Sequence, residues 1–206
     1  MSTAAVKRCS VDEYLVIEHA SPEIKHEYCD GAVFVKSGAN QSHSLIVGNL
    51  LGELSSRLRR SDALVYPSGM RVLTQSGLYA YPDVSIVGGG PEFADQRRET
   101  LLNPIVIIEV LSPTTAGYDR GRKFKNYQTI GSLREYVLVE QDQPSIDHIA
   151  RQSDGRWLIT SLAGLDAVLS LPALDISVPM GEIYAKIEFP PEEDIPKGST
   201  IGGPVK

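Results

Sequence analysis

Tyr81-Pro82-Asp83-Val84-Ser85-Ile86-Val87, then Ile105-Val106-Ile107-Ile108-Glu109-Val110, then Asp119-Arg120-Gly121-Arg122-Lys123-Phe124-Lys125-Asn126-Tyr127, are the three runs of the stretch whose reading decides the fold. The first is a short apolar run introduced by a proline and an aspartate. The second stays apolar and β-branched until it reaches a glutamate, the pattern of a strand buried on both faces. A carboxylate on such a strand is paired, metal-bound or at the strand's exposed end. The third run spaces Asp119, Lys123 and Tyr127 at i, i+4 and i+8, on one face of a helix. Two carboxylates on neighbouring strands and a lysine on the next helix form the residue set that metal-assisted phosphodiester cleavage needs. Taken singly, each has a plainer reading: a turn aspartate, a strand-end glutamate, and an Asp–Lys pair worth about a few tenths of a kcal/mol.

Upstream of this stretch, Ser10 with Glu13 makes a capping-box pattern ahead of a short helix through Tyr14, Leu15 and Ile17. Asp30-Gly31 between His26–Cys29 and Ala32–Val35 is the strongest short hairpin signal. A helix is expected from about His43 to Arg60, with Ile46, Val47, Leu50, Leu51, Leu54 and Leu58 on its buried face. Leu64–Tyr66 and Met70–Leu73 read as strands around Pro67-Ser68-Gly69, and Val84–Val87 as another ended by Gly88-Gly89-Gly90. The charged segment 91–103 reads as an exposed excursion. Downstream, a helix is expected from about Asp119 to Ile130 with Gly131 as its cap, then a buried strand over Tyr136–Val139. A second hairpin turns at Ser153-Asp154-Gly155, and Val168-Leu169 with Leu174–Val178 completes the fold ahead of a terminal turn near Ile183. Strand runs with two well-separated helices give an α/β or α+β chain, a mixed central sheet covered by helices.

The 206 residues, 42% hydrophobic and 22% charged, suit one sizeable domain over residues 1–189. From Pro190 the composition turns to Pro, Glu, Gly and Lys, and residues 190–206 are expected to be a disordered tail. Cys9 and Cys29 match neither a zinc motif nor a disulfide framework, so a reducing, cytoplasmic setting is expected. Met1–Ser10 lacks an apolar signal-peptide core, and no run approaches the roughly 18 apolar residues of a membrane span. The net charge of −6 disfavours sequence-independent coating of nucleic acid. It leaves a nuclease open, because metal-binding carboxylates are acidic and basic residues can be local, as in Arg57/Arg59/Arg60, Arg97/Arg98 and Arg120/Arg122/Lys123/Lys125. A solvated face explains any one of those clusters.

Tyr81-Pro82-Asp83-Val84, Ile108-Glu109-Val110-Leu111-Ser112-Pro113-Thr114, and Tyr118-Asp119-Arg120-Gly121-Arg122-Lys123 with Tyr127 together resemble the Uma-type restriction endonuclease family, which is similar to the PD-(D/E)XK nuclease superfamily. The likeness extends upstream through Glu27-Tyr28, Asp30-Gly31, Ser37-Gly38, His43 and Asn49-Leu50, and downstream through Glu135-Tyr136 and Glu182-Ile183-Tyr184. Each motif is weak alone; the ordered set is specific. The resemblance implies a restriction-endonuclease-like mixed sheet flanked by helices, with added N-terminal and C-terminal β-hairpins. It implies Asp83 and Glu109, with the backbone carbonyl of Val110, as ligands of Mg²⁺ or Mn²⁺. It implies DNA as substrate, and because duplex cutting takes two sites, a homodimer. The superfamily lysine two residues after the glutamate is absent, since that position is Leu111, and Lys123 is its stand-in as the third catalytic residue. Glu27, His43, Arg120, Arg122 and Tyr127 are supporting or substrate-binding candidates. On their own, Glu27 reads as an exposed strand glutamate and His43 as a structural residue at a helix start. Two other functions fit the same residues: a non-catalytic binding or assembly module on this fold, favoured by the acidic balance and Leu111, and a phosphodiesterase acting on RNA or a nucleotide.

Overall fold

The computed structural model describes residues 8–36 and 38–189. The tail expected to be disordered from Pro190, and Ser37 of the motif set, lie outside them. The chain begins with α1 (Val11–Ala20), where Ser10 and Glu13 close the anticipated capping box: the Ser10 hydroxyl takes the Glu13 N–H and the Glu13 carboxylate takes the Ser10 N–H. β1 (His26–Cys29) and β2 (Ala32–Val35) form the expected antiparallel hairpin. Its turn residues Asp30 and Gly31 both take positive φ, 51° and 82°, as a two-residue turn matched to strand twist requires.

α2 (Gln41–Leu58) starts two residues before the expected boundary, because Asn40 rather than a later residue caps it through the His43 N–H. β3 (Leu64–Pro67) and β4 (Arg71–Leu73) then enter different sheets, with a turn closed by Met70 N–H on the Pro67 carbonyl. β5 (Tyr79–Ala80) and β6 (Val84–Val87) follow. The segment read as an exposed excursion instead contributes β7 (Thr100–Leu101), which is buried and pairs in parallel with β4. Charge density misled there: Thr100 accepts both Arg71 Nε and Nη2 at 3.0 and 2.8 Å, so a buried polar pair sits inside a hydrophilic sequence.

β8 (Val106–Leu111) is buried at every position. The helix expected over 119–130 runs instead as α3 (Ala116–Tyr118), a π-helical turn over Asp119–Lys123, and α4 (Phe124–Tyr127). It ends before Gly131, with Gln128 as its cap. β9 (Glu135–Glu140), β10 (Ser145–Arg151) and β11 (Trp157–Ala163) come next, the last two being the anticipated second hairpin. β12 (Val168–Leu171) and β13 (Ile176–Pro179) form a further hairpin around a short 3-10 turn that includes Leu174, and α5 (Met180–Ile183) closes the described chain.

Two mixed sheets result. One has the order β2-β1-β5-β4-β7 and the other β11-β10-β9-β8-β6-β3, in which β8 and β9 are parallel and β6 and β8 antiparallel. The alternation along β8 explains its uninterrupted apolar run. Val106, Ile108 and Val110 pack under Ile46, Leu50 and Leu54 of α2, beside the β12–β13 hairpin and α5. Ile107 and Leu111 face the opposite way, towards Tyr127 and Tyr136, towards Val72 and Leu101 of the smaller sheet, and towards Leu78 of the β4–β5 connection. Glu109 has the parity of the second group, so a carboxylate is delivered into the layer between the two sheets.

Candidate active site

β6 and β8 pair with Val84 opposite Ile108 and Ser85 opposite Ile107. Continuing this register by one residue sets Asp83 across from Glu109, and residues directly opposite project from the same face. Asp83 and Glu109 are each 3% exposed and line one cleft of about 800 Å³. The helix 116–127 packs over this end of the sheet and brings Lys123 with it. Its ammonium lies 2.8 Å from Glu109 Oε1, 3.1 Å from Glu27 Oε1 and 3.6 Å from Asp119 Oδ1. The Tyr127 hydroxyl donates to the same Glu109 oxygen at 2.9 Å.

Asp83 is held from the other side. Its Oδ2 accepts the Val110 N–H at 2.9 Å and stands 3.2 Å from His43 Nε2; its Oδ1 accepts the Lys36 ammonium at 3.0 Å. Glu27 is buried rather than an exposed strand residue, because it also accepts the Tyr81 N–H at 3.1 Å. His43 sits within the first turn of α2, with Asn40 capping that turn and its ring turned to Asp83. Six of the sequence-derived candidates, Asp83, Glu109, Val110, Lys123, Glu27 and His43, thus line one cleft, and Tyr127 stands directly behind Glu109. Arg120 and Arg122 do not join them. Arg120 pairs with Glu140 at 2.5 Å and Asp147 at 3.4 Å, and Arg122 with Asp30 at 2.7 Å, on outer surfaces. Lys36, which also lines the cleft, carries no motif or periodicity that marks it in the sequence, and Tyr118, quoted there only as part of a motif, joins it in the lining.

Burial raises the Asp83 carboxyl, but the His43 hydrogen bond, the Lys36 charge and the Val110 N–H together hold it well below the usual carboxylate range. For Glu109 burial wins: despite Lys123, and helped by the charges of Asp83 and Asp119, its carboxyl is pushed up to about 8. Burial works against the charge of Lys123, yet Glu109, Tyr127, Glu27 and Asp119 keep its pKa well above the ordinary lysine value. These directions are compatible, because a lysine among three carboxyls keeps its proton even when one of them is neutral. Asp119 is raised by burial, with Lys123 and Thr115 opposing.

Among the described residues no three His, Cys, Asp or Glu side chains form a ready-made metal cage. The donor set at Asp83 and Glu109 is of a different kind. Glu109 Oε1 takes both protein donors, and no donor among the described residues meets Oε2. N–H and C=O of one strand residue leave on the same edge, so the Val110 carbonyl faces the side on which its N–H reaches Asp83. Two carboxylates and a carbonyl on an open cleft fit a small hard cation that keeps several waters.

The mixed sheets, with α2 on one face of the larger one and the helix of Lys123 over the cleft, make up a nuclease-like fold. The same fold is found in the crystal structure of "a putative nuclease belonging to DUF820" from Anabaena variabilis, with a TM-score of 0.70 and 17% identity over 84% of this chain and 96% of that one. The chain belongs to the family described as "Uma2: Putative restriction endonuclease", whose model matches residues 11–181. Two uncharacterized proteins of Synechocystis sp. are similar along their whole lengths. One is 33% identical over 177 residues, covering 85% of this chain and 99% of its own. The other is 32% identical over 190 residues, covering 91% and 97%.

Proposed function

We propose that this protein is a Mg²⁺- or Mn²⁺-dependent endonuclease that hydrolyses DNA phosphodiester bonds. The observation that carries the reading is the meeting of Asp83, just ahead of β6, and Glu109 of β8 in one open cleft, with the Val110 N–H 2.9 Å from Asp83 Oδ2 and the Lys123 ammonium 2.8 Å from Glu109. Asp83, Glu109 and the Val110 carbonyl would hold the ion. When bound, such an ion polarises a phosphate oxygen and lowers the pKa of a coordinated water. Lys123 keeps Glu109 in place and sets a fixed positive charge where negative charge develops on the phosphate. The Tyr127 hydroxyl fixes the Glu109 rotamer from behind, and His43 with the Val110 N–H does the same for Asp83. Glu27 orients Lys123. The family description and the nuclease-like fold support this reading. A homodimer with two such clefts would serve both strands of a duplex.

Cleavage of supercoiled plasmid with Mn²⁺ or Mg²⁺, beside an EDTA control, tests it. Nicking is expected with either metal, lost in EDTA and lost in Asp83→Ala and Glu109→Ala while circular dichroism is unchanged. Wild-type rates in either variant would refute the mechanism. A matched RNA substrate in the same buffers separates DNA cleavage from a more general phosphodiesterase.

A further inference from the structure

Lys36 follows β2 directly, and its ammonium makes two contacts: Asp83 Oδ1 at 3.0 Å and the Tyr81 carbonyl at 2.6 Å. Asp83 Oδ2 is taken by the Val110 N–H and His43. Every oxygen of Asp83 therefore has a protein partner, and the one on Oδ1 is a cation. The two lysines of the cleft differ in freedom. Lys123 has a side chain 6% exposed and is held by three carboxylates. The Lys36 side chain is 22% exposed, lines the cleft beside Gly38 and Ala39, and among the described residues pairs with one carboxylate only. A lysine ammonium is a compact charge on a flexible four-carbon stem, so it can leave one partner for another without moving the backbone.

We propose that Lys36 is an internal counter-cation that occupies Asp83 Oδ1 until a divalent ion displaces it, and so sets the metal affinity of the cleft. This rests on Asp83 being a metal ligand. An ion bound to Asp83 and an ammonium hydrogen-bonded to the same carboxylate repel at short range in a partly dry site. The ammonium must then swing outward into the cleft, where a phosphate would lie. Lys36 acts through Asp83 and is a positioning residue by this account.

The test is Mn²⁺ titration calorimetry on metal-free wild type, Lys36→Met, Lys36→Arg and Asp83→Asn, with thermal unfolding of each in EDTA and in Mn²⁺. Lys36→Met is expected to bind Mn²⁺ at least about tenfold more tightly than wild type, roughly 1.4 kcal/mol. It should unfold at lower temperature in EDTA and gain more from Mn²⁺ than wild type does. Lys36→Arg keeps the charge and should stay within a few-fold of wild type, which a merely structural role for the side chain would not produce. Lys36→Gln carries the same expectation as Lys36→Met should the latter fail to fold. Equal or weaker Mn²⁺ binding in both neutral variants, with binding lost in Asp83→Asn, overturns the proposal and leaves Asp83 a ligand. Wild-type binding in Asp83→Asn overturns the ligand assignment, and the proposal with it.

Discussion

The Tyr127 hydroxyl donates to the Glu109 oxygen that also faces Lys123, and its ring packs against Tyr136 with centroids 5.5 Å apart. Removing the hydroxyl alone separates those two roles. Tyr127→Phe is expected to keep the ring packing, to lose about 1 kcal/mol of stability with the buried hydrogen bond, and to lower the plasmid-nicking rate about tenfold in protein that is still fully folded at the assay temperature. An unchanged rate would show that Glu109 needs no support from behind. At this scale the sequence was unevenly legible. Asp83 and Glu109 stood out because carboxylates bordering apolar strand runs need an explanation. Glu27 looked bland, since only the third dimension reveals that the Tyr81 N–H and Lys123 converge on it. Lys36 was invisible for the same reason: a single lysine at the end of an exposed hairpin strand has no pattern to announce it.

Among the elements, α2 contributes both the lid of one core and His43. Its first turn is set by the Asn40 side chain, which accepts the His43 N–H at 2.8 Å. Asn40→Ala should destabilise the fold by about 1 kcal/mol in urea denaturation. It should also loosen His43 beside Asp83, giving a nicking defect larger than the stability loss explains. A drop in stability with an unchanged nicking rate would confine Asn40 to capping. Most elements could be read from periodicity, because α2 and β8 follow their templates closely. The helix over the cleft was only half legible. The i, i+4, i+8 face was visible and does carry Asp119, Lys123 and Tyr127. Its earlier start, its π-helical turn and its end at Tyr127 were not visible, because tertiary packing rather than local propensity sets them. Family resemblance supplied the roles that spacing alone did not.

For the molecule as a whole, the buried carboxyls couple stability to pH. Burial, with the charges of Asp83 and Asp119 against that of Lys123, pushes the Glu109 carboxyl to about 8 from an ordinary value of 4.5. Between those values the native protein keeps a proton that the unfolded chain gives up. Stability therefore falls as pH rises through this window and levels off above it. Asp119, raised by burial, adds in the same direction. Asp83 runs the other way: burial raises it, but His43 and Lys36 hold it low. Its contribution is complete above its ordinary value of 3.8 and fades only as pH falls below that. In EDTA, the melting temperature of wild type should fall relative to that of Glu109→Gln as pH increases from about 5 to about 8. Parallel curves would refute the assignment.

The cluster draws Glu27 from the first hairpin, Asp83 from just ahead of β6, Glu109 from β8, and Lys123 from a helix seated on β9 by the Tyr136 hydroxyl, which donates to the Asp119 carbonyl at 3.1 Å. Such distant pairings close late, since loop entropy must be overcome before they are rewarded. Along the chain, both central carboxylates precede the lysine and the strand that seats the lysine's helix. The cleft therefore has no assembled cluster until β9 has docked beside β8 and given the helix of Lys123 its seat.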